Sequence, residues 1–371
     1  MKIYYKDNVV QAAIKRTRFI YEHFGKSTYI SFSGGKDSTV CLEIAHMVAE
    51  EMNLLPVNVM WLDQEAEWDS TVEYIKYVFG LPWVKPYWIQ APFLLDHSLN
   101  GKEDGLWCWQ GKTMRERDAS SIHELPGKQT LVFAEMLNHI GITFFPNGCT
   151  IYGMRCDESP SRRRALTNTK KVFVGPEVWG AGSSDKENAR AAVIYDWVTS
   201  DVWKFIHERG LKYNTLYDHQ YAHGIPVPSM RVSALIHETA LRSLDYAQEF
   251  EGDMWNRLTD RIEGINTYKH NPEAYCCPKK LPEMFKSWRE YRDFLLNKLI
   301  TNEEHYKIMK TRFDRDDRVN SFLPKERADH TVQVHIDVVL RDDYSLTKLK
   351  NFAAASLKWN KVLKEKTGGV K

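Results

Sequence analysis

The stretch YISFSGGKDSTVCLEIAHMVAEE, residues 29–51, passes from a strand pattern to a helix pattern through two glycines. Its start is aromatic and β-branched, whereas residues 38–51 repeat apolar side chains at helical spacing. Gly34 and Gly35 allow a sharp turn and a close approach of the backbone to a ligand. A parallel strand that enters a helix in this way leaves the first helical N–H groups unpaired at the carboxyl edge of the sheet. The junction therefore predicts an anion site.

The polar residues of the same turn indicate which anion. Ser33 and Ser38 add hydroxyl donors, Lys36 adds a positive charge, and Asp37 either caps the helix or binds a metal ion. A plain glycine turn with a helix cap would explain the two glycines alone. It does not explain why lysine, aspartate and two serines share one turn, so we predict a phosphate site.

The common phosphate-binding motifs are missing from this turn. The pattern GxxxxGK[ST] fails, and so does the dinucleotide pattern GxGxxG. Two other GK[ST] triplets occur, Gly25-Lys26-Ser27 and Gly111-Lys112-Thr113, but Ile20 and Leu106 stand where each needs its first glycine. Neither triplet is therefore predicted to bind phosphate.

The composition of the 371 residues is that of an ordinary globular protein. The net charge is only +2, so an anion site must be local rather than a product of a global field. Six cysteines without a CxxC pair argue against a zinc site or a disulfide framework. No apolar run approaches the roughly 18 residues that span a bilayer, and no signal-peptide pattern opens the chain. We expect a cytoplasmic protein with no membrane partner.

Strand and helix patterns alternate along the first two thirds of the chain, which predicts an α/β fold with a mostly parallel sheet. We expect a nucleotide-binding α/β domain over residues 1–228 and a mainly helical region over 229–371, although TVQVHIDVVL (331–340) has a strand pattern. The polar stretch 100–113 is predicted to lack a regular element. The predicted strands are 28–33, 56–63, 84–90 and 149–154, with a further strand end in 191–197; the predicted helices are 7–24, 38–51, 69–79, 130–140 and 200–210.

Six segments, in order along the chain, carry a resemblance to a known family. The segment SFSGGKDS (31–38) resembles the pyrophosphate loop of the PP-loop, or adenine nucleotide alpha-hydrolase-like, superfamily. The segment WLDQEAEW (61–68) stands where that superfamily has an acidic residue at the end of its second strand. Three later segments resemble those of phosphoadenosine phosphosulfate (PAPS) reductases and of the small subunit of ATP sulfurylase: GMRCDESPSRRRAL (153–166), YDWVTSDVWKFI (195–206) and YNTLYDHQYAHGIP (213–226). The segment MRVSALIHETALRSL (230–244) is similar to a bacterial or phage branch of the PAPS reductase-like family.

The resemblance implies a Rossmann-like sheet, with helices on both faces, that binds ATP, or PAPS or APS, at the carboxyl ends of its strands. It implies Mg²⁺ bound by Asp37 and Asp63, and catalytic roles for Lys36, Asp63, Arg155 and Arg163. Since neighbours on a helix point about 100° apart, only one or two of Arg162, Arg163 and Arg164 can reach one ligand; a solvated basic face is the alternative. The implied nucleotide-binding residues are Ser31, Phe32, Ser33, Gly34, Gly35, Lys36, Asp37, Ser38, Leu62, Asp63, Gly153, Arg155, Arg162 and Arg164.

The activity implied by the resemblance is attack on the α-phosphate of ATP, with adenylyl transfer to sulfate or another oxyanion acceptor and release of pyrophosphate. Sulfur metabolism or sulfur modification is the implied setting. One alternative is a thiol-dependent PAPS reductase that forms sulfite, although no cysteine stands in a C-terminal ECGLH motif. Another is a non-catalytic nucleotide sensor that binds a protein partner encoded nearby.

Two further expectations concern cofactors and partners. The pair Cys276-Cys277 has no downstream CxxC, which argues against an iron–sulfur cluster. The basic tail 348–371 carries interleaved aromatic residues and weakly indicates contact with nucleic acid or an acidic partner. A solvated amphipathic helix is the alternative for this tail.

Overall fold

The computed structural model describes most of the chain, and it separates into two compact units. The first unit ends at Arg261 and the second begins at Ile262. The predicted domain boundary at residue 228 lies earlier, inside the first unit. The described residues are 6–95, 105–127, 131–167, 180–182, 188–236, 243–262, 265, 277–278, 280–340, 343–344, 346 and 349. Residues 237–242, the segment 263–276 apart from Ile265 (and so Cys276), and the basic tail apart from Leu349 lie outside the described residues.

The first unit is built on a six-stranded sheet among the described residues. Five neighbouring strands are parallel, and only the last pair is antiparallel. This confirms the predicted Rossmann-like α/β fold. The strands, in the order in which they lie across the sheet, are β3 (Val84–Ile89), β2 (Val57–Leu62), β1 (Thr28–Ser31), β6 (Cys149–Ile151), β8 (Ala189–Ala191) and β7 (Gly180–Gly182).

The central strands are covered on both faces. All six residues of β2 are buried, and its register with β1 pairs Tyr29 with Asn58 and Ile30 with Val59. A strand whose alternating side chains are all buried must have helices on both faces, which explains why VNVMWL is an almost continuous apolar run. The helices of this unit are α1 (Val9–Phe24), α2 (Lys36–Glu51), α3 (Asp69–Phe79), α4 (Phe133–Phe144), α5 (Pro160–Thr167), α6 (Thr199–Glu208), α7 (Leu216–Ala222), α8 (Leu244–Phe250) and α9 (Gly252–Arg261).

Helix α2 is the main element that covers the centre of the sheet. Val40, Ile44 and Val48 recur at helical spacing, and each is completely buried. The helix packs against β1 and β2, and both α1 and α6 pack against it in turn. Its first turn therefore lies at the carboxyl edge of β1, which is where the sequence places the glycine turn.

Two predictions about local structure are wrong. Within 100–113, residues Leu106–Cys108 form a strand, β5, which pairs in antiparallel fashion with β4 (Phe93–Leu95). Residues 331–340 belong to a helix, Lys325–Leu340, and not to a strand. In that segment burial is not confined to one helix face, since six residues are buried: Val332, Val334, His335, Ile336, Val338 and Val339. A helix that is buried around most of its circumference loses the polar side by which a helical period is recognised, so the alternation in TVQVHIDVVL is misleading.

The second unit is helical over its described residues, as predicted. Its helices are α10 (Trp288–Leu299), α11 (Glu303–Asn320) and α12 (Lys325–Leu340). Leu296, Phe313 and Ile336, one from each helix, belong to a shared apolar core. No helix among the described residues has the length and apolarity to cross a bilayer.

Candidate functional site

The glycine turn joins β1 to α2 at the carboxyl edge of the sheet. Gly34 has φ +69°, a conformation that side chains other than glycine's rarely adopt. Gly35 is the N-cap residue of α2, and it has no side chain of its own to cap the helix. The backbone N–H of Lys36 donates to the hydroxyl of Tyr217 at 3.1 Å. The turn thus presents the N-terminus of α2, the positive end of the helix dipole, with one of its N–H groups bonded to Tyr217.

A cavity of about 450 Å³ opens at this turn. This volume is within the usual range for small-molecule sites, about 300–1,000 Å³. Ten of the predicted nucleotide-binding residues line it, whereas Gly34, Asp63, Arg155 and Arg164, together with the predicted catalytic Arg163, are not among the lining residues. The ten are Ser31, Phe32, Ser33, Gly35, Lys36, Asp37, Ser38, Leu62, Gly153 and Arg162.

Gly153 lines the cavity where two strands bring their ends together. It follows β6, the neighbour of β1, and a Cβ atom placed there would lie 2.8–2.9 Å from backbone and side-chain atoms of Asp37 and the backbone N of Ser38. Real Cβ atoms almost never come so close to other heavy atoms. Glycine is therefore required for the first turn of α2 to lie against this strand end.

Two charged residues of the cavity wall, Lys36 and Asp37, form a chain with Arg155, which is not among the lining residues. The Lys36 ammonium lies 3.0 Å from Asp37 Oδ2, and Arg155 Nε donates to Asp37 Oδ1 at 2.5 Å. Arg155 is 2% exposed. Its guanidinium also reaches the carbonyl of Trp197 and the hydroxyl of Thr199, both at 3.4 Å. The geometry thus makes Arg155 a positioning residue that holds Asp37, which in turn holds Lys36.

The structure corrects the predicted place of Asp63. This carboxylate is completely buried rather than part of the cavity wall. Its Oδ2 accepts from Trp88 Nε1 and Gln90 Nε2, both at 2.9 Å, and its Oδ1 accepts from the backbone of Glu65 and from Arg115. Since all of its acceptor positions are taken, Asp63 supports the fold of the loop after β2 and is unsuited to the predicted catalytic and metal-binding roles.

The predicted Mg²⁺ site now depends on Asp37. No group of three or more histidine, cysteine or acidic side chains is arranged for a metal in the part of the chain that the structure describes. Mg²⁺ commonly takes one or two carboxylates and completes its shell with substrate phosphates and water. Asp37 lines the cavity and fits such a role, so the ion stays a prediction tied to a bound polyphosphate.

Several cavity residues were missed by the sequence reasoning. Trp61, Gln64 and Glu67 line the cavity from the end of β2 and the loop beyond it. Burial raises the pKa of Glu67 to about 8, and the charge of Asp63 adds to the rise. The segment WLDQEAEW could have indicated Glu67, because acidic residues stand there at every second position after a buried strand. Tyr217 and the segment Met230–Ala234 close the cavity from further along the chain.

The arginine cluster of α5 is divided between the cavity and solvent. Arg162 lines the cavity, and its guanidinium is paired with Glu158. Arg163 and Arg164 are exposed. This division fits the prediction that at most two of the three arginines reach a ligand.

The cysteines of the first unit are poorly placed for thiol chemistry. Cys41, Cys108 and Cys149 are completely buried, and burial raises the pKa of each thiol. Burial also raises the pKa of Cys156, which is partly exposed. None of the described cysteines is among the cavity-lining residues.

Comparison with known proteins shows which proteins the chain resembles. Residues 142–223 match the phosphoadenosine phosphosulfate reductase domain, and residues 224–352 match a domain of unknown function, DUF3440. Among curated proteins, the uncharacterised protein YbdN of Escherichia coli is 24% identical over 320 residues, covering 81% of this chain and 78% of YbdN. The adenosine 5'-phosphosulfate reductase of Anoxybacillus flavithermus is 22% identical over 217 residues, covering 58% of this chain and 77% of that protein.

Among solved structures, FMN adenylyltransferase of Candida glabrata superposes with a TM-score of 0.36 at 14% identity, covering 58% of this chain and 62% of that one. The domain match and the reductase relatives confirm the resemblance that the motifs indicate. Over residues 142–223 the chain thus resembles the PAPS reductase family, and its glycine turn resembles the PP-loop superfamily.

Proposed function

We propose that this protein binds ATP in the cavity at the glycine turn and catalyses attack on the α-phosphate, transferring the adenylyl group and releasing pyrophosphate. The observation that carries the proposal is the glycine turn at the N-terminus of α2, with Lys36 beside it, at the wall of a cavity of nucleotide size. Helix N-termini with glycine turns are common phosphate sites because their N–H groups and dipole favour anions.

The reaction needs little from the protein besides positioning and charge. An acceptor oxygen attacks the α-phosphorus, the bond to the bridging oxygen of the β-phosphate breaks, and pyrophosphate leaves with that electron pair. Negative charge grows on the leaving group, and Lys36 is placed to offset it. An acceptor that is already an anion, such as sulfate, needs no general base. Mg²⁺, when bound with the nucleotide, would supply further charge through Asp37 and the phosphate oxygens.

The reductase alternative is less well supported by the site. Sulfite formation from PAPS or APS needs a thiolate nucleophile near the sulfate group, and low-pKa thiolates occur in exposed, electropositive surroundings. The buried thiols of the first unit have the opposite character. A nucleotide sensor without turnover is the remaining alternative, and it shares the proposed binding site.

A pyrophosphate-release assay tests the proposal. The protein is incubated with ATP and Mg²⁺, with and without sulfate, and compared with Lys36→Ala. We expect release by the wild type and a loss of roughly 100-fold or more in the variant. Lys112→Ala is the control, because Lys112 belongs to a GK[ST] triplet but is exposed and paired with Asp260. Nucleotide binding without release would leave the sensor, and sulfite formation from PAPS or APS would favour the reductase.

A further inference from the structure

Arg231 lies in a segment whose backbone is firmly held at the cavity wall. Its N–H donates to Gln220 Oε1 at 3.1 Å, and its carbonyl accepts from Gln220 Nε2 at 2.7 Å. Gln220 is completely buried. Four residues further on, the N–H of Leu235 donates to the carbonyl of Ala66 at 3.0 Å. The backbone position of Arg231 is thus fixed by side-chain and main-chain bonds on both sides.

The same segment lies directly against the glycine turn. Val232 Cγ2 is 3.3 Å from the place that a Cβ atom on Gly35 would occupy. Met230, Val232 and Ala234 are buried, whereas the Arg231 side chain is 38% exposed and lines the cavity. A fixed backbone with a half-exposed guanidinium is suited to present a positive charge to a ligand in this cavity.

Two arginines share one carboxylate at this wall. Arg162 pairs with Glu158 Oε2, and Arg231 Nη1 lies 3.9 Å from the same oxygen, too far for a hydrogen bond. Glu158 Oε1 is already taken by the backbone N–H of Arg155 at 2.9 Å. One carboxylate therefore faces two guanidinium groups, and most of the donors of Arg231 have no partner among the described residues.

We propose that Arg162 and Arg231, held by Glu158, form a second anion subsite in the cavity, which binds a tetrahedral oxyanion. Guanidinium groups pair with phosphate and sulfate in two-bond geometry, and two of them can enclose such a group. The oxyanion is either a tail phosphate of the nucleotide or a separate acceptor such as sulfate. The subsite deepens the proposed function and rests on it, since it assigns a place to a second charged group beside the glycine turn.

Binding measurements with Arg231→Gln test the subsite. Three probes are used: α,β-methylene ATP with Mg²⁺ and AMP, both by calorimetry, and radiolabelled sulfate by equilibrium dialysis. Arg18→Gln is the matched control, because Arg18 is 39% exposed and pairs with one glutamate, Glu51, away from the cavity lining. Thermal unfolding of each variant establishes that it is folded. A further variant, Arg231→Lys, keeps the positive charge but lacks the planar guanidinium group.

Two results support the subsite and identify its occupant. If it holds a tail phosphate, Arg231→Gln weakens the ATP analogue about tenfold or more and changes AMP less than twofold. If it holds a separate acceptor, sulfate binding falls about tenfold while both nucleotides are unchanged. In either case Arg231→Lys recovers only part of the loss, and Arg18→Gln behaves as wild type.

Other results overturn it. The subsite is contradicted if Arg231→Gln binds all three probes as the wild type does. It is also contradicted if the variant weakens the ATP analogue and AMP equally and leaves sulfate binding unchanged. If the wild type binds neither nucleotide, the proposed function fails. The subsite is then tested by sulfate binding alone, which Arg231→Gln should weaken. Absence of sulfate binding as well would then overturn both.

Discussion

At the scale of single residues, the site depends on the close approach of Gly153 to the first turn of α2. Gly153 allows the end of β6 to lie against the first turn of α2, and any larger residue would meet the backbone of Asp37 and Ser38. Backbone atoms cannot move aside as flexible side-chain ends can. The position of the glycine turn is therefore set by its neighbour across the sheet as well as by its own two glycines.

We predict that Gly153→Ala damages the site. The new methyl group should force the turn away from β6, lowering the free energy of unfolding by about 1–3 kcal/mol and weakening binding of α,β-methylene ATP. Urea unfolding and calorimetry measure the two effects. Gly252→Ala is the matched control, because a Cβ at Gly252 meets nothing within 4 Å. Equal behaviour of the two variants would show that the close approach is unimportant.

Glu67 gives a prediction about pH. Burial first, and the charge of Asp63 second, raise its pKa from 4.5 to about 8, so the native state keeps a proton that the unfolded state has lost. This group stabilises the fold fully below pH 4.5, and that stabilisation disappears as the pH rises to 8. Glu67→Gln removes the titration and should gain stability over wild type by a few kcal/mol at pH 8.5 but little at pH 4.5.

Unfolding in urea at the two pH values measures this difference. Glu22→Gln serves as a control on α1, because Glu22 is exposed and its charge state should matter little. A gain for Glu67→Gln that is the same at both pH values would contradict the assignment.

At the scale of elements, helix α3 shows what local sequence can and cannot predict. The sequence predicts a helix over residues 69–79, and the structure confirms it as Asp69–Phe79. Its cap was not predictable. The backbone N–H groups of Asp69 and Ser70 donate to Glu251, at 2.6 and 3.0 Å, and Glu251 lies 182 residues from Asp69 along the chain. Only the folded chain brings these groups together.

We therefore predict that Glu251→Ala destabilises the first unit. It leaves two N–H groups of the first turn of α3 without an acceptor and removes a negative charge from the positive end of the helix. The expected loss is about 1–2 kcal/mol in the free energy of unfolding. Glu249→Ala is the comparison, since Glu249 is 68% exposed and pairs with His223 at 3.7 Å. Equal losses in both variants would exclude the capping role.

At the scale of the whole molecule, the sequence predicts the strands and the glycine turn because both are recognised from patterns of neighbouring residues. It misplaced Asp63, since an acidic residue after a strand can face either a ligand or the interior, and only Trp88, Gln90 and Arg115 show which. It missed Arg231, whose place depends on Gln220 and the loop after β2 rather than on a local motif. The motifs located the cavity, and the fold determined which charges face it.

The second unit contains a buried polar network that predicts acid sensitivity. His335 is completely buried and bonds to Arg292 and Asp316, both at 3.3 Å. Burial lowers its pKa, and the Arg292 charge adds to this against the opposing effect of Asp316. A histidine with a lowered native pKa binds its proton more readily when unfolded, so the stability that it contributes is lost as the pH falls below 6.5.

Hydrogen exchange of α10, α11 and α12 at pH 7.5 and 5.5 measures this effect. We expect faster exchange at pH 5.5, after correction for the intrinsic rate, and a smaller difference in His335→Gln. His207→Gln, at an exposed position on α6, should leave the difference as in wild type. An unchanged pH dependence in His335→Gln would place the sensitivity elsewhere.

The account depends most on the claim that the turn between β1 and α2 binds the phosphates of an adenine nucleotide. Calorimetric titration of the wild type, Lys36→Ala and Lys26→Ala with α,β-methylene ATP and Mg²⁺ tests it most directly. Lys26 is exposed in the GK[ST] triplet that precedes β1, at the opposite end of that strand. We predict one nucleotide per chain, binding weakened about tenfold or more in Lys36→Ala, and no change in Lys26→Ala. Absence of binding, or equal binding by Lys36→Ala and wild type, would contradict the account.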